Sequence, residues 1–147
     1  MGLTGSSTYV GFGFGAIQSG LFLYEAYQSG AFRRFVISEL VPDLVSAVRR
    51  SKGTCVINIA HEDHVEKSCL DSLELENPAQ IEDRARLIDA IAKASEIGTA
   101  IPSVDHYVSP KQYSLHRILA QGLVKKFEIN GPRAVIYTAE NNNQAAE

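Results

Sequence analysis

Residues 9–20 read YVGFGFGAIQSG, which puts four glycines and an alanine into twelve residues between apolar flanks. Glycine has no Cβ, so a ligand can come close to its backbone. Where such a run joins a strand to a helix, the first N–H groups of the helix are unpaired and carry partial positive charge. A phosphate or pyrophosphate answers both features. Two registers of the fingerprint G-x-G-x-x-[G/A] are open, one matching it in full and one departing at the third position. Gly11, Gly13 and Ala16 make one; Gly13 and Gly15 open the other, with Gln18 in its third position. Phe14 and Ile17 belong to the same turn in either register. A second group completes the chemistry. Glu39, followed by Leu40, stands some two dozen residues beyond Gly15, where a second strand should end. A carboxylate there accepts hydrogen bonds from both hydroxyls of an adenosine ribose and repels a 2′-phosphate, which favours NAD over NADP.

The other chemically able residues make weaker groupings. HEDH (61–64) collects metal-ligand types, but a solvated hairpin tip explains them and no metal site is assigned. Asp105 and His106 adjoin a strand end that would face the cofactor, and form the one candidate acid–base pair. His116 sits among apolar neighbours on a helix and reads as a surface or half-buried side chain. Lys125 and Lys126 suit a helix C-terminus. There is no G-x-S-x-G elbow, and neither Cys55 nor Cys69 has a histidine partner. The sequence therefore offers a place for a cofactor and no catalytic residue.

These groups need a scaffold, and 147 residues make one domain with room for a sizeable core. A chain that is 45% hydrophobic and 21% charged is ordinary for a globular protein. Its formal charge of −3 gives no footprint for nucleic acid. No apolar run approaches the roughly 18 residues of a membrane span. MGLTGSS at the start lacks the basic and apolar regions of a secretory signal, and its loose likeness to a myristoylation pattern has no polybasic support. Two reduced thiols in a cytoplasmic protein are then the expectation.

Strand Thr8–Phe12 precedes a helix over 17–28, a strand over 35–38 and a helix opened by Pro42. TCVINIA (54–60) is a third strand, and the looser alternation of 65–77 predicts antiparallel strands. An amphipathic helix over 78–94 aligns Ile81, Ala85, Ile88 and Ala92, and also Leu87 with Ile91. A strand stopped by Pro102 follows. The helix over 114–127 should turn Leu115, Ile118, Leu119 and Val124 inward; then come a strand over 133–141 and the opening of a further helix. Strands alternating with helices imply an α/β, doubly wound, mostly parallel sheet, with the antiparallel stretch as an insertion.

GFGAIQSGLF, VISEL, GTAIP and YTAENNNQAAE together resemble the N-terminal Rossmann domain of the mannitol dehydrogenase family, the polyol-specific long-chain dehydrogenases. The likeness covers almost the whole chain and is nearest the mannitol-1-phosphate 5-dehydrogenase branch. It implies the register of Gly13, Gly15, Ile17 and Gly20, with Gln18 where a glycine is usual. It puts Glu39 at the ribose, Thr99, Ala100 and Ile101 along the nicotinamide ribose, and the pair Glu140 and Asn141 beside nicotinamide and substrate, with Asn141 as the contact. The reaction it implies is metal-independent hydride transfer between NAD and a secondary alcohol of a polyol or polyol phosphate. The proton-transferring lysine would belong to a helical C-terminal domain that these 147 residues do not include. Two other classes share parts of the pattern. S-adenosylmethionine methyltransferases carry G-x-G-x-G, matched by Gly11, Gly13 and Gly15, but with an acidic residue where Tyr9 stands. NAD-sensing regulatory domains, such as those that gate potassium transport, have this length and need no catalytic residue.

Overall fold

The computed structural model describes residues 7–147, so the reading of MGLTGSS lies outside the described residues except at Ser7. Apolar and β-prone residues form β1 (Thr8–Phe12), all five of them buried. A helix follows, π-helical over Gln18–Leu23 and continuing as α1 (Tyr24–Gln28). Next come β2 (Arg34–Ser38) and α2 (Pro42–Arg50), whose first position is the proline. β3 (Cys55–Ala60) and β4 (Val65–Leu70) make a hairpin, and β5 (Leu73–Glu76), α3 (Ile81–Lys93) and β6 (Ala94–Thr99) follow it. α4 (Leu115–Glu128) and β7 (Val135–Thr138) complete the elements.

Five strands make one sheet in the order β5-β2-β1-β6-β7, with every neighbouring pair parallel. β3 and β4 form a separate two-stranded antiparallel sheet. The fold is Rossmann-like: α/β, doubly wound, with an antiparallel insertion. Alternation along the strands sends side chains to two cores. Tyr9, Phe35 and Ile37 pack with Leu23, Val45 and Val48 from the helices on one face. Val10, Phe12 and Ile97 pack with Leu87, Ile91 and Ile118 on the other.

The structure corrects the expected pattern in four places. The stretch over 65–77 is not antiparallel throughout, because β5 joins the main sheet parallel to β2. The hairpin brings the chain back to the end where β2 began, and Gly53 (φ 80°) lets the backbones meet: the Leu73 N–H donates to the Gly53 carbonyl at 3.0 Å. On α3 Leu87, Ile91 and Ala92 are buried as expected, but Asp83 and Ala90 join them while Ile81 and Ala85 are exposed. A carboxylate can lie among them because it is paired. Asp83 and Glu76, both buried, share the guanidinium of Arg49 at 2.7 and 2.8 Å, and Arg86 bonds both as well. On α4, Val124 faces outward and Lys126 is buried, its ammonium donating to the carbonyls of Ala94 and Pro132. Burial away from any counter-charge pushes the Lys126 pKa down. Finally, residues 142–147 form turns in place of a new helix.

Candidate functional site

The glycine turn sits where the chain leaves β1 and the sheet order reverses. β2 lies to one side of β1 and β6 to the other, and ligands of such sheets bind beyond the carboxyl ends at that point. Gly13 makes the turn. Its φ is 87°, its N–H donates to the Ser38 carbonyl at 2.9 Å, and a Cβ there would meet the Ala100 carbonyl oxygen at 2.7 Å. Both backbone conformation and space require glycine. Gly15 is exposed, with no atom within 4 Å of where its Cβ would stand. The helix begins at Ala16, so the N–H groups of its first turn have no intrahelical acceptor. Gly13 and Gly15 therefore stand in the turn, and Gly11 lies inside β1.

Gln18 has a different role from the one expected of it. It is fully buried and off the cavity wall. A Cβ on Gly11 would fall 1.8 Å from its amide nitrogen, and one on Gly98 would fall 3.4 Å from its amide oxygen. The third position of the fingerprint is normally small so that helix and strand can approach. Here the strands supply the missing side chains instead, through Gly11 and Gly98, and Gln18 fills the gap. Its Nε2 donates to the Tyr9 hydroxyl at 2.9 Å. Burial holds the Tyr9 phenol un-ionised well above its usual range.

The cavity over this turn encloses about 840 Å3. Gly13, Phe14, Gly15, Ala16 and Ile17 form its floor. Glu39, Leu40, Val41 and Leu44 line the side toward β2, and Ala100 and Ile101 the side toward β6. Glu39 is half-buried, and its two oxygens accept the N–H groups of Phe14 (3.0 Å) and Val41 (2.8 Å). A carboxylate has about four acceptor sites, so capacity remains on the cavity side. Arg34 is engaged elsewhere, paired with Glu74 at 2.7 Å near the start of β2. No arginine is among the described residues lining the cavity.

Thr99 and Asn141 are not on the cavity wall. Thr99 is buried at the end of β6, and Asn141 is exposed on the turn after β7. Between them lies Glu140, which the resemblance put near the nicotinamide only as the neighbour of Asn141. Glu140 is buried (8% exposed), and its carboxylate accepts the Ile101 N–H at 2.9 Å, the Thr99 hydroxyl at 3.0 Å and the Tyr107 hydroxyl. Burial first, and the neighbouring carboxylate second, push the Tyr107 phenol up to about 12. The available signal was a lone acid directly after an apolar strand.

Asp105 and His106 do reach the cavity wall, but not as a pair. Ser103 caps a short turn by accepting the Asp105 N–H at 3.1 Å, and its hydroxyl donates to the Asp105 carboxylate at 3.0 Å. His61 and His64 stack at the hairpin tip, 4.4 Å between ring centroids, each beside its own carboxylate. No group of three or more His, Cys, Asp or Glu among the described residues is arranged to hold a metal ion. Cys55 sits opposite Leu70 and Cys69 opposite Val56, so the two free thiols point to opposite faces of the hairpin. Among the described residues no helix is long and apolar enough to cross a membrane.

Fold and cavity together define a Rossmann-like α/β domain with an open cleft at its switch point. No protein-family model and no curated protein matches the chain.

Proposed function

We propose that this chain is the NAD-binding domain of a polyol or polyol-phosphate dehydrogenase of the mannitol dehydrogenase type. One observation carries the cofactor part: Gly13, Gly15 and the Glu39 carboxylate share one cavity at the switch point of the sheet. The enzyme class rests on the resemblance of GFGAIQSGLF, VISEL, GTAIP and YTAENNNQAAE to that family. The N–H groups at the start of the helix receive the pyrophosphate, and the bare backbone at Gly15 lets it come close. Glu39 accepts the ribose hydroxyls of the adenosine half and disfavours a 2′-phosphate. Bound NAD supplies the hydride acceptor. This chain orients it and shields one side of it from water, and the proton chemistry belongs to a further domain.

Calorimetric titration with NADH, NADPH and S-adenosylmethionine, repeated on Glu39→Ala, tests this reading. NADH should bind more tightly than NADPH. The variant should lose about tenfold or more in NADH affinity, the worth of one or two hydrogen bonds to a charged group, while NADPH is spared. An equal fall for both nucleotides would mean that Glu39 only holds the Phe14 and Val41 loops. Binding of S-adenosylmethionine alone would move the chain to the methyltransferases. NADH binding by the native full-length protein without any dehydrogenase activity on polyols would favour the NAD-sensing class.

A further inference from the structure

Beyond the glycine turn, the cavity wall toward β6 is held by a single buried side chain. Ala100 and Ile101 leave β6 and form that wall. The Ala100 N–H is held by the Phe12 carbonyl at 3.0 Å, but the Ile101 N–H has the Glu140 carboxylate as its acceptor, at 2.9 Å. The same carboxylate takes the hydroxyl of Tyr107, which anchors the loop between β6 and α4. His116 reinforces that anchor, its N–H and Nδ1 lying 3.1 and 2.9 Å from the Tyr107 carbonyl oxygen. Val108, Tyr113 and Leu115, further along the same stretch, also face the cavity. One carboxylate from the segment after β7 thus joins the strand end, the loop and the wall. With three donors engaged and 8% of its surface exposed, Glu140 has no free face for substrate.

We infer that Glu140 is a positioning residue: it fixes the wall over residues 100–107 and thereby acts on the half of a dinucleotide lying over β6, not the half lying over β2. The inference rests on the dinucleotide reading above and adds a residue to it. Its asymmetry comes from the sheet order, because Glu39 and Glu140 lie on opposite sides of β1. A ligand comprising the adenosine diphosphate half alone reaches Glu39 and the glycine turn without using the β6 wall.

The test compares NADH with ADP on the native chain, on Glu140→Gln and on Tyr107→Phe, with amide hydrogen exchange followed in the absence of nucleotide. Glu140→Gln keeps the shape and one acceptor; Tyr107→Phe leaves Glu140 in place should the first variant fold poorly. The expected result for Glu140→Gln is NADH affinity about tenfold weaker and ADP affinity within about twofold. Exchange at Ile101 should be about tenfold faster, with β1 and β2 unchanged. Tyr107→Phe should move the same quantities in the same direction by less. Equal losses for NADH and ADP, or no change in either, overturn the inference, as does unaltered exchange at Ile101. If neither nucleotide binds the native chain, the dinucleotide reading falls and the ligand part of the inference falls with it. The Ile101 exchange rate then still decides whether Glu140 holds the wall.

Discussion

Two carboxylates flank the glycine turn, and they differ in what has been left for them to do. Glu39, after β2, accepts two loop N–H groups and remains half-buried on the cavity side. Glu140, after β7, accepts one loop N–H and two hydroxyls and is buried. Both tie a loop to the end of the sheet. With two protein donors and a place on the cavity wall, Glu39 keeps acceptor capacity there, and the proposed reading assigns that capacity to a ligand. Saturation by protein donors, more than residue type or proximity, separates a ligand contact from a strut.

The comparison breaks most visibly in stability. Glu140→Ala should lower the unfolding free energy by about 2–4 kcal/mol, because the buried Thr99 hydroxyl, the half-buried Ile101 N–H and the Tyr107 hydroxyl lose their shared acceptor together. Glu39→Ala should lower it by less than about 1 kcal/mol, since water reaches the freed Phe14 and Val41 groups. Urea unfolding of the two variants measures both, and similar losses would erase the distinction. The glycines that lie between the carboxylates should divide the same way. Gly13→Ala places a Cβ against the Ala100 carbonyl at a φ of 87°, and should destabilise by about 1–3 kcal/mol. Gly15→Ala meets no atom of the protein; it should leave stability within about 0.5 kcal/mol and weaken NADH binding instead.

A packing test follows at somewhat smaller size. Gln18→Leu leaves the buried Tyr9 hydroxyl unpaired and should lose about 1–2 kcal/mol. Adding Tyr9→Phe removes the orphaned group and should restore most of that loss, whereas additive losses would show that the Gln18 amide has another partner. The remaining effect is alkaline. The folded Tyr107 phenol titrates near 12, above its usual value of 10.0. The unfolded chain therefore gives up this proton first, and the associated stability is complete below pH 10 and falls as pH rises toward 12. The slope is at most about 1.4 kcal/mol per pH unit. Tyr107→Phe should make the alkaline limb of a stability profile shallower without flattening it, because Tyr9 is shifted in the same direction.

Much of the scaffold was legible because its signals are local. β1 and α2 could be placed from apolar run, glycine and proline alone, and the acid at the end of β2 from its position in the strand–helix alternation. The glycine turn was legible as a turn but not in its register, since YVGFGFGAIQSG offers one full spacing and one that departs at Gln18. The positive φ of Gly13 shows which glycine makes the turn, and Gln18 is buried beneath it. The bracing role of Glu140 escaped because its partners at 99, 101 and 107 belong to β6 and the loop that follows it, far away in the chain. The inward face of α3 was read correctly at Leu87, Ile91 and Ala92 and missed at Asp83 for a related reason. Asp83 looks like a surface residue until Arg49, from α2, and Arg86 are brought to it.

By itself the sequence determined which segments are strands and helices, because period and turn chemistry act over a few residues. It also supplied a bare backbone followed by an acid. Only the tertiary structure decided that β5 runs parallel beside β2, that the strands rather than the helix contribute the glycines around Gln18, and that Glu39 faces a cavity while Glu140 is spent within the protein. Those outcomes depend on which side chains meet across the sheet, and partners far apart in the chain are not ordered by any local pattern.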